Sequence, residues 1–192
     1  QAQESHFFVG GALGQASGEQ GSSDVAAGLA RQGFAAGAVD VRNLDRTAYR
    51  LFAGYRITPN WVVEAGYTDL GDVSTSASAT VPAGQSEAYA RALLAVLPVS
   101  VAGYEASLSY RYPFADAFAV AARAGVWRWE NEQSARFGNQ RLNASPEGTD
   151  ALFGVSVEWS FAKDWAIGAE ASRYRTDRED LDVLAAAVKY SW

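Results

Sequence analysis

The stretch LFAGYRITPNWVVEAGYTDL, residues 51–70, decides the fold. Before the turn, Leu51, Ala53, Tyr55 and Ile57 take every second place, with Phe52, Gly54 and Arg56 between them. After Thr58, Pro59 and Asn60, Trp61, Val63, Ala65 and Tyr67 take one face, and Val62, Glu64, Gly66 and Thr68 the other. A period of two is a strand signal. Pro59 and Asn60 supply a turn, because proline presets φ and asparagine tolerates unusual backbone angles. The charges Arg56 and Glu64 share a face with glycine and small residues, while aromatics crowd the opposite face beside the turn. A soluble sheet buries its apolar face and wets its charged one. Aromatics at the ends of the apolar face instead describe an interfacial girdle, and the pattern predicts a membrane β-barrel, apolar outside and polar inside.

The same alternation recurs along the chain. Strands are expected over residues 6–15, 47–57, 61–70, 102–112, 117–129, 150–161, 165–175 and 182–192. Together they predict an all-β fold, an eight-stranded antiparallel up-and-down transmembrane β-barrel in one domain spanning residues 1–192. Tight turns at 58–60, 113–116 and 162–164 alternate with long connections at about 16–46, 71–101 and 130–148 and a short charged one at 176–181. Outer-membrane barrels have an even strand count, short periplasmic turns and longer extracellular loops, so both termini are expected on the periplasmic side. Within the first long connection, Asp24 caps a short expected helix over residues 25–36.

Composition agrees with an exported barrel. Hydrophobic residues make up 48% of 192. No apolar run approaches the about 18 residues of a transmembrane helix. A start at Gln1-Ala2-Gln3 and the absence of Met are expected of a mature chain whose export signal has been removed. No Cys means no disulfide framework and no thiolate metal site. A net charge of −6 argues against a nucleic-acid partner.

The aromatics form an independent pattern. Tyr55, Trp61, Tyr110, Tyr112, Phe118, Trp159, Phe161, Trp165, Tyr190 and Trp192 lie at strand ends beside tight turns or the C-terminus, an expected interfacial girdle. Tyr49, Tyr67, Tyr104, Phe153 and Trp129 are expected to form the girdle at the other end.

Residues 54–71, GYRITPNWVVEAGYTDLG, resemble the OmpA-like family of small outer-membrane proteins, with their strand, Pro/Asn turn, inward Glu and GYxxLG-like ending. ARAGVWRWE (122–130) and GVSVEW (154–159) are similar to the family's later strands, and Tyr190-Ser191-Trp192 resembles its aromatic-ended insertion signal. The resemblance implies an outer-membrane barrel. The chain is expected to lack the periplasmic peptidoglycan-binding domain of longer members, like the barrel-only opacity and neisserial-surface types.

The inward set carries nine charges: Arg50, Arg56, Glu64, Arg111, Arg123, Glu105, Glu158, Glu170 and Lys189. Eight strands leave an interior only wide enough for side chains, so these charges must pair. The turns place Glu64 opposite Gly54 and diagonal to Arg56, Glu105 opposite or diagonal to Arg123, and Glu158 opposite Gly168 with Lys189 beyond it. Such a set serves either as a structural polar plug or as a gated ion pathway.

His6, the single histidine, stands at the periplasmic start of the first strand, the wrong end for a barrel hydrolase, and no catalytic or cofactor site is expected. Asp69, Asp72, Asp177, Glu179, Asp180 and Asp182 collect at extracellular strand ends, as a solvated rim or as oxygen ligands for Ca²⁺. Arg128, Arg173 and Arg175 at the same end either snorkel or pair with lipid phosphates. The expected function is a non-enzymatic surface barrel with a structural, adhesion or host-contact role through its loops; the alternatives are a small porin-like diffusion channel and a soluble lipid-binding barrel. Expected partners are outer-membrane lipid, lipopolysaccharide and a cell-surface ligand, bound by a monomer.

Overall fold

In a computed structural model, eight strands close on themselves. The structure describes residues 6–18, 22–31, 33, 38–42, 45–71, 74–78, 88, 92, 101–131, 133–137, 140–144, 147–176 and 180–192. The barrel strands are β1 (Phe7–Gly18), β3 (Asp45–Arg56), β4 (Trp61–Asp69), β6 (Val101–Ala115), β7 (Phe118–Asn131), β10 (Glu147–Ser160), β11 (Trp165–Arg175) and β12 (Asp180–Ser191), antiparallel and in up-and-down order. The first and last pair along their lengths, so the barrel itself has no open edge.

The register fixes the geometry. Phe8 pairs with Gly54, Gly54 with Glu64, Glu64 with Ser107, Ser107 with Gly125, Gly125 with Leu152, Leu152 with Tyr174, Tyr174 with Leu181, and Leu181 with Gly18. One circuit returns to β1 ten residues further along, from Phe8 to Gly18. That stagger tilts the strands by roughly 35–45° and lets side chains from non-adjacent strands meet inside.

Alternation sorts the side chains as the period of two requires. Leu13, Leu51, Val155 and Leu184 face outward and are at least 60% exposed. Arg50, Glu64 and Glu105 face inward and are at most 7% exposed. Apolar outside and charged inside is the inverse of a water-soluble barrel, and only a lipid surround makes the exterior favourable. No described helix is long and apolar enough to cross a membrane.

The long connections contain structure that alternation did not announce. Helix α1 runs Ser22–Arg31, earlier than the expected 25–36, most of whose remainder lies outside the described residues. β2 (Ala38–Arg42) pairs with β5 (Ser74–Ser78), and β8 (Gln133–Phe137) with β9 (Gln140–Ala144). The barrel strands also extend past their expected limits, β1 to Gly18 and β10 back to Glu147. Gly71 ends β4 at φ +75, a left-handed conformation suited to glycine, and donates its N–H to Asp69 Oδ1 at 2.8 Å.

Candidate functional site: the charged interior of the barrel

The interior is built in three layers. The waist centres on Glu105 of β6, whose carboxylate receives four hydrogen bonds. Arg50 Nε and Arg123 Nη1 donate to Oε1 at 2.5 and 3.0 Å; Thr68 Oγ1 and Tyr174 OH donate to Oε2, both at 2.8 Å. A carboxylate has about four lone-pair sites, so its acceptor capacity is filled. Arg50 extends the layer: Nη2 donates to Glu64 Oε2 at 2.7 Å, and Nη1 lies 3.5 Å from Glu170. Its guanidinium also sits 4.1 Å from the centre of the Phe52 ring. A rigid planar fork with five donors is suited to binding three carboxylates at once. Arg123 Nη2 donates to Ser172 Oγ at 2.8 Å and Tyr174 OH at 3.1 Å. Gly154 makes this possible, because a Cβ there would lie 2.8 Å from both Arg123 Nε and Ser172 Oγ.

Above the waist, toward the long connections, the lumen is filled by apolar and aromatic groups. Trp127, Leu152 and Leu181 are fully buried, with Leu70, Val101 and Ala16 alongside. The Trp127 and Tyr174 rings meet edge to face at 4.9 Å, and Trp127 Nε1 donates to the Arg175 carbonyl at 2.9 Å. Trp129 belongs here too, a correction to its place in the outer girdle. It shares the parity of Trp127, is buried, and donates Nε1 to Asp150 Oδ2 at 2.8 Å.

Below the waist, toward the tight turns, the interior is open. A cavity of about 340 Å³ reaches from Arg50, Glu64, Arg123 and Glu170 down to Ser160, Lys163 and Trp165. On its wall Glu158 lies 3.0 Å from Lys189 and accepts from Arg111 Nη2 at 3.4 Å, and Lys189 is also 3.7 Å from Glu64. Phe8 and Phe52 pack edge to face in the same half, in room left by Gly54 and Gly10.

The nine interior charges therefore all point inward, but their pairing differs in part from what adjacency suggested. Glu158 faces Gly168 with Lys189 beyond it. Glu105 and Arg123 form an ion pair without being opposite: Arg123 is in register with Ser109, and its long side chain covers the offset. Glu64 faces Gly54 and bonds to Arg50, not to its diagonal neighbour Arg56. Arg56 lines the cavity. Tyr174, Thr68 and Ser172 complete the waist; the shared parity of Ser172 and Tyr174 with Glu170 was the available signal.

The ten aromatics of the tight-turn end all stand outward and exposed. Tyr55, Phe7, Trp192, Tyr190 and Trp165 make a chain of ring contacts, Phe118, Trp159 and Phe161 a second, and Trp61 pairs with Tyr110 at 5.1 Å. Tyr112 stands alongside. At the other end Tyr49, Tyr67 and Tyr104 touch in sequence. Phe153 lies beneath Arg175 at 5.9 Å.

The remaining candidates are placed as follows. His6 Nδ1 hydrogen-bonds the Arg56 carbonyl at 3.1 Å and its ring stacks on Tyr55. Asp69 caps the Gly71 turn. Asp182 accepts two bonds from Arg173, at 2.7 and 2.6 Å, and Asp180 lies 3.9 Å from the same guanidinium. Arg128 pairs with Glu147 at 3.1 Å. Asp72, Asp177 and Glu179 lie outside the described residues. Among the described residues no group of three or more acidic, His or Cys side chains is arranged to hold a metal ion.

The profile of the OmpA-like transmembrane domain matches residues 2–188. No curated protein matches the chain. Among solved structures it is similar to Ail, the attachment invasion locus protein of Yersinia pestis, with 11% identity, 99% of this chain and 100% of that one covered, and a TM-score of 0.56. The N-terminal β-barrel domain of Pseudomonas aeruginosa OprF gives 10% identity, 98% of each chain and 0.57. Neisserial surface protein A gives 14%, 97% of each chain and 0.53. Identities this low establish the shared fold alone.

Proposed function

Since the chain belongs to the OmpA-like transmembrane domain family, and so to the integral barrels of the bacterial outer membrane, we propose that it is a non-enzymatic surface barrel acting through its long connections. The tight turns and both termini face the periplasm, and the long connections face outward. The barrel is a rigid monomeric support, and the loops meet a ligand on another cell or surface. Around the loop end, exposed Arg128, Arg173 and Arg175 face the headgroups of outer-membrane lipid and lipopolysaccharide.

One observation carries this reading: the lumen is closed twice over, by the saturated Glu105 carboxylate and by Trp127, Leu152 and Tyr174 above it. A closed lumen leaves the loops as the working surface. Ail, described as an attachment invasion locus protein and solved also with the heparin analogue sucrose octasulfate, supports a surface-contact role for barrels of this shape. The test is adhesion by cells displaying the chain, with each long connection replaced in turn by a short turn. Loss of binding from one replacement, with the barrel still folded, supports the reading. Unchanged binding after all replacements overturns it.

A second reading, a small diffusion channel, is favoured by the cavity that already opens half the lumen. Conductance in planar bilayers separates the two.

A further inference from the structure

The cavity below the waist has the makings of a site in its own right, whatever the loops bind. Its volume of about 340 Å³ lies within the range of small-ligand pockets. It is blind: Arg50, Arg123 and Glu64 form its inner end, while Ser160, Lys163, Asp164 and Ser191 surround the end at the tight turns.

Its hydrogen-bonding capacity is lopsided. Three of the four lining carboxylates face a cation: Glu158 has Arg111 and Lys189, Glu64 has Arg50 and Lys189, and Glu170 has Arg50. The donors are less fully used. Arg111 makes one long bond, Nη2 to Glu158 at 3.4 Å, and its Nε is buried without an acceptor. Arginine offers five N–H groups and accepts nothing. The hydroxyls of Ser109, Ser156 and Ser160 share the wall with it, and Lys163 stands at the mouth. Asp164 is the opposing charge at the mouth; Glu170 lies deeper, against Arg50. Surplus donors in a partly dry enclosure call for a ligand rich in acceptors and carrying negative charge, because a charge-assisted bond to a guanidinium is among the stronger contacts available.

The geometry points to a binding site for a small oxyanion, a phosphate, sulfate or carboxylate group, centred on Arg111 and reached only from the tight-turn end. Trp127 and Leu152 bar the route from the loops. The bound group sits between the Arg111 guanidinium and the serine hydroxyls of β6 and β10.

The test is a titration of inorganic phosphate into the refolded full chain at constant ionic strength, followed by amide and indole NMR shifts, with tetramethylammonium as the cationic control. Saturable shifts with a Kd on the order of millimolar, confined to the surroundings of Ser109, Arg111, Ser156, Ser160 and Trp165, support the site. Arg111→Gln then weakens binding roughly tenfold or more, the scale of one charge-assisted bond. Ala121→Leu, in register with Arg111, crowds the wall beside it without touching a charge and abolishes the shifts, which keeps the test decisive if Arg111→Gln does not fold. Linear, unsaturable shifts in the unaltered chain, or saturation by tetramethylammonium instead, overturn the proposal.

Discussion

Arg50 and Glu105 are bonded across an intervening strand. Nε meets Oε1 at 2.5 Å although β4 separates β3 from β6. Gly66 of β4 lies in register with Phe52 on one side and Glu105 on the other, so no side chain blocks the path at that level. The stagger of the barrel brings Arg50 down onto the carboxylate, with Thr68 of β4 donating to its other oxygen. The waist is therefore one unit drawn from β3, β4, β6, β7 and β11.

Removing one member strands the others. Glu105→Ala leaves Arg50 and Arg123 without their shared acceptor, and Arg123→Ala withdraws one of four donors. Each is expected to destabilise by about 3–5 kcal/mol where water is excluded. The double variant should fall short of the sum by about 0.5–3 kcal/mol. Urea unfolding in lipid vesicles measures the cycle. Coupling near zero would mean a wet interior in which these charges are separately solvated.

Two glycines give opposite outcomes for the same substitution. Gly154→Ala places a methyl 2.8 Å from Arg123 Nε and Ser172 Oγ, and a loss of about 1–3 kcal/mol is expected from displacing them. At Gly11, on the lipid face, the nearest atom to a new Cβ is Leu51 Cδ2 at 3.5 Å, an ordinary contact. Gly11→Ala should be neutral or stabilise by about 0.4–1 kcal/mol. The same unfolding experiment reads both, and equal losses would contradict the packing described around Arg123.

The lipid face answers to charge. Ala122 and Val155 pair across β7 and β10 on the outward side, Val155 being 60% exposed. Ala122→Arg and Val155→Arg are each expected to cost about 2–4 kcal/mol near the bilayer midplane. Unchanged stability in bilayers would show the two faces reversed.

Protease added to intact cells reports the orientation. Arg31, at the exposed end of α1 in the first long connection, is expected to be cut, while Lys163 in the turn after β10 stays protected. Cleavage at Lys163 with Arg31 intact would turn the barrel over.

The fold was largely legible, because period-two alternation is a local signal and eight copies of it in antiparallel order leave few closures. Which charges face inward followed from the same parity. Their partners were readable only where a tight turn joins the two strands, as for Glu105 with Arg123. Arg50 and Glu105 are 55 residues apart and meet through the stagger, which no single hairpin reveals. Trp127 and Leu152 carry the inward parity of their strands, but Val101 and Leu181, which complete the apolar layer, sit at the fringes of strands, where alternation fades into loop composition. The β2–β5 ladder left only a short trace: β2 alternates Val39 and Val41 against Asp40 and Arg42 over five residues, and its partner Ser74–Ser78 is small and, Ala77 apart, polar. Trp129 stands at a strand end, where a girdle residue is expected, but its parity with Trp127 is the stronger signal.

Planar-bilayer conductance of the intact chain tests the closed lumen most directly. With Glu105 saturated and Trp127, Leu152 and Tyr174 packed above it, no steady current is expected at neutral pH. Steady, reproducible open currents from the unaltered protein would contradict the closed waist and make the barrel a channel.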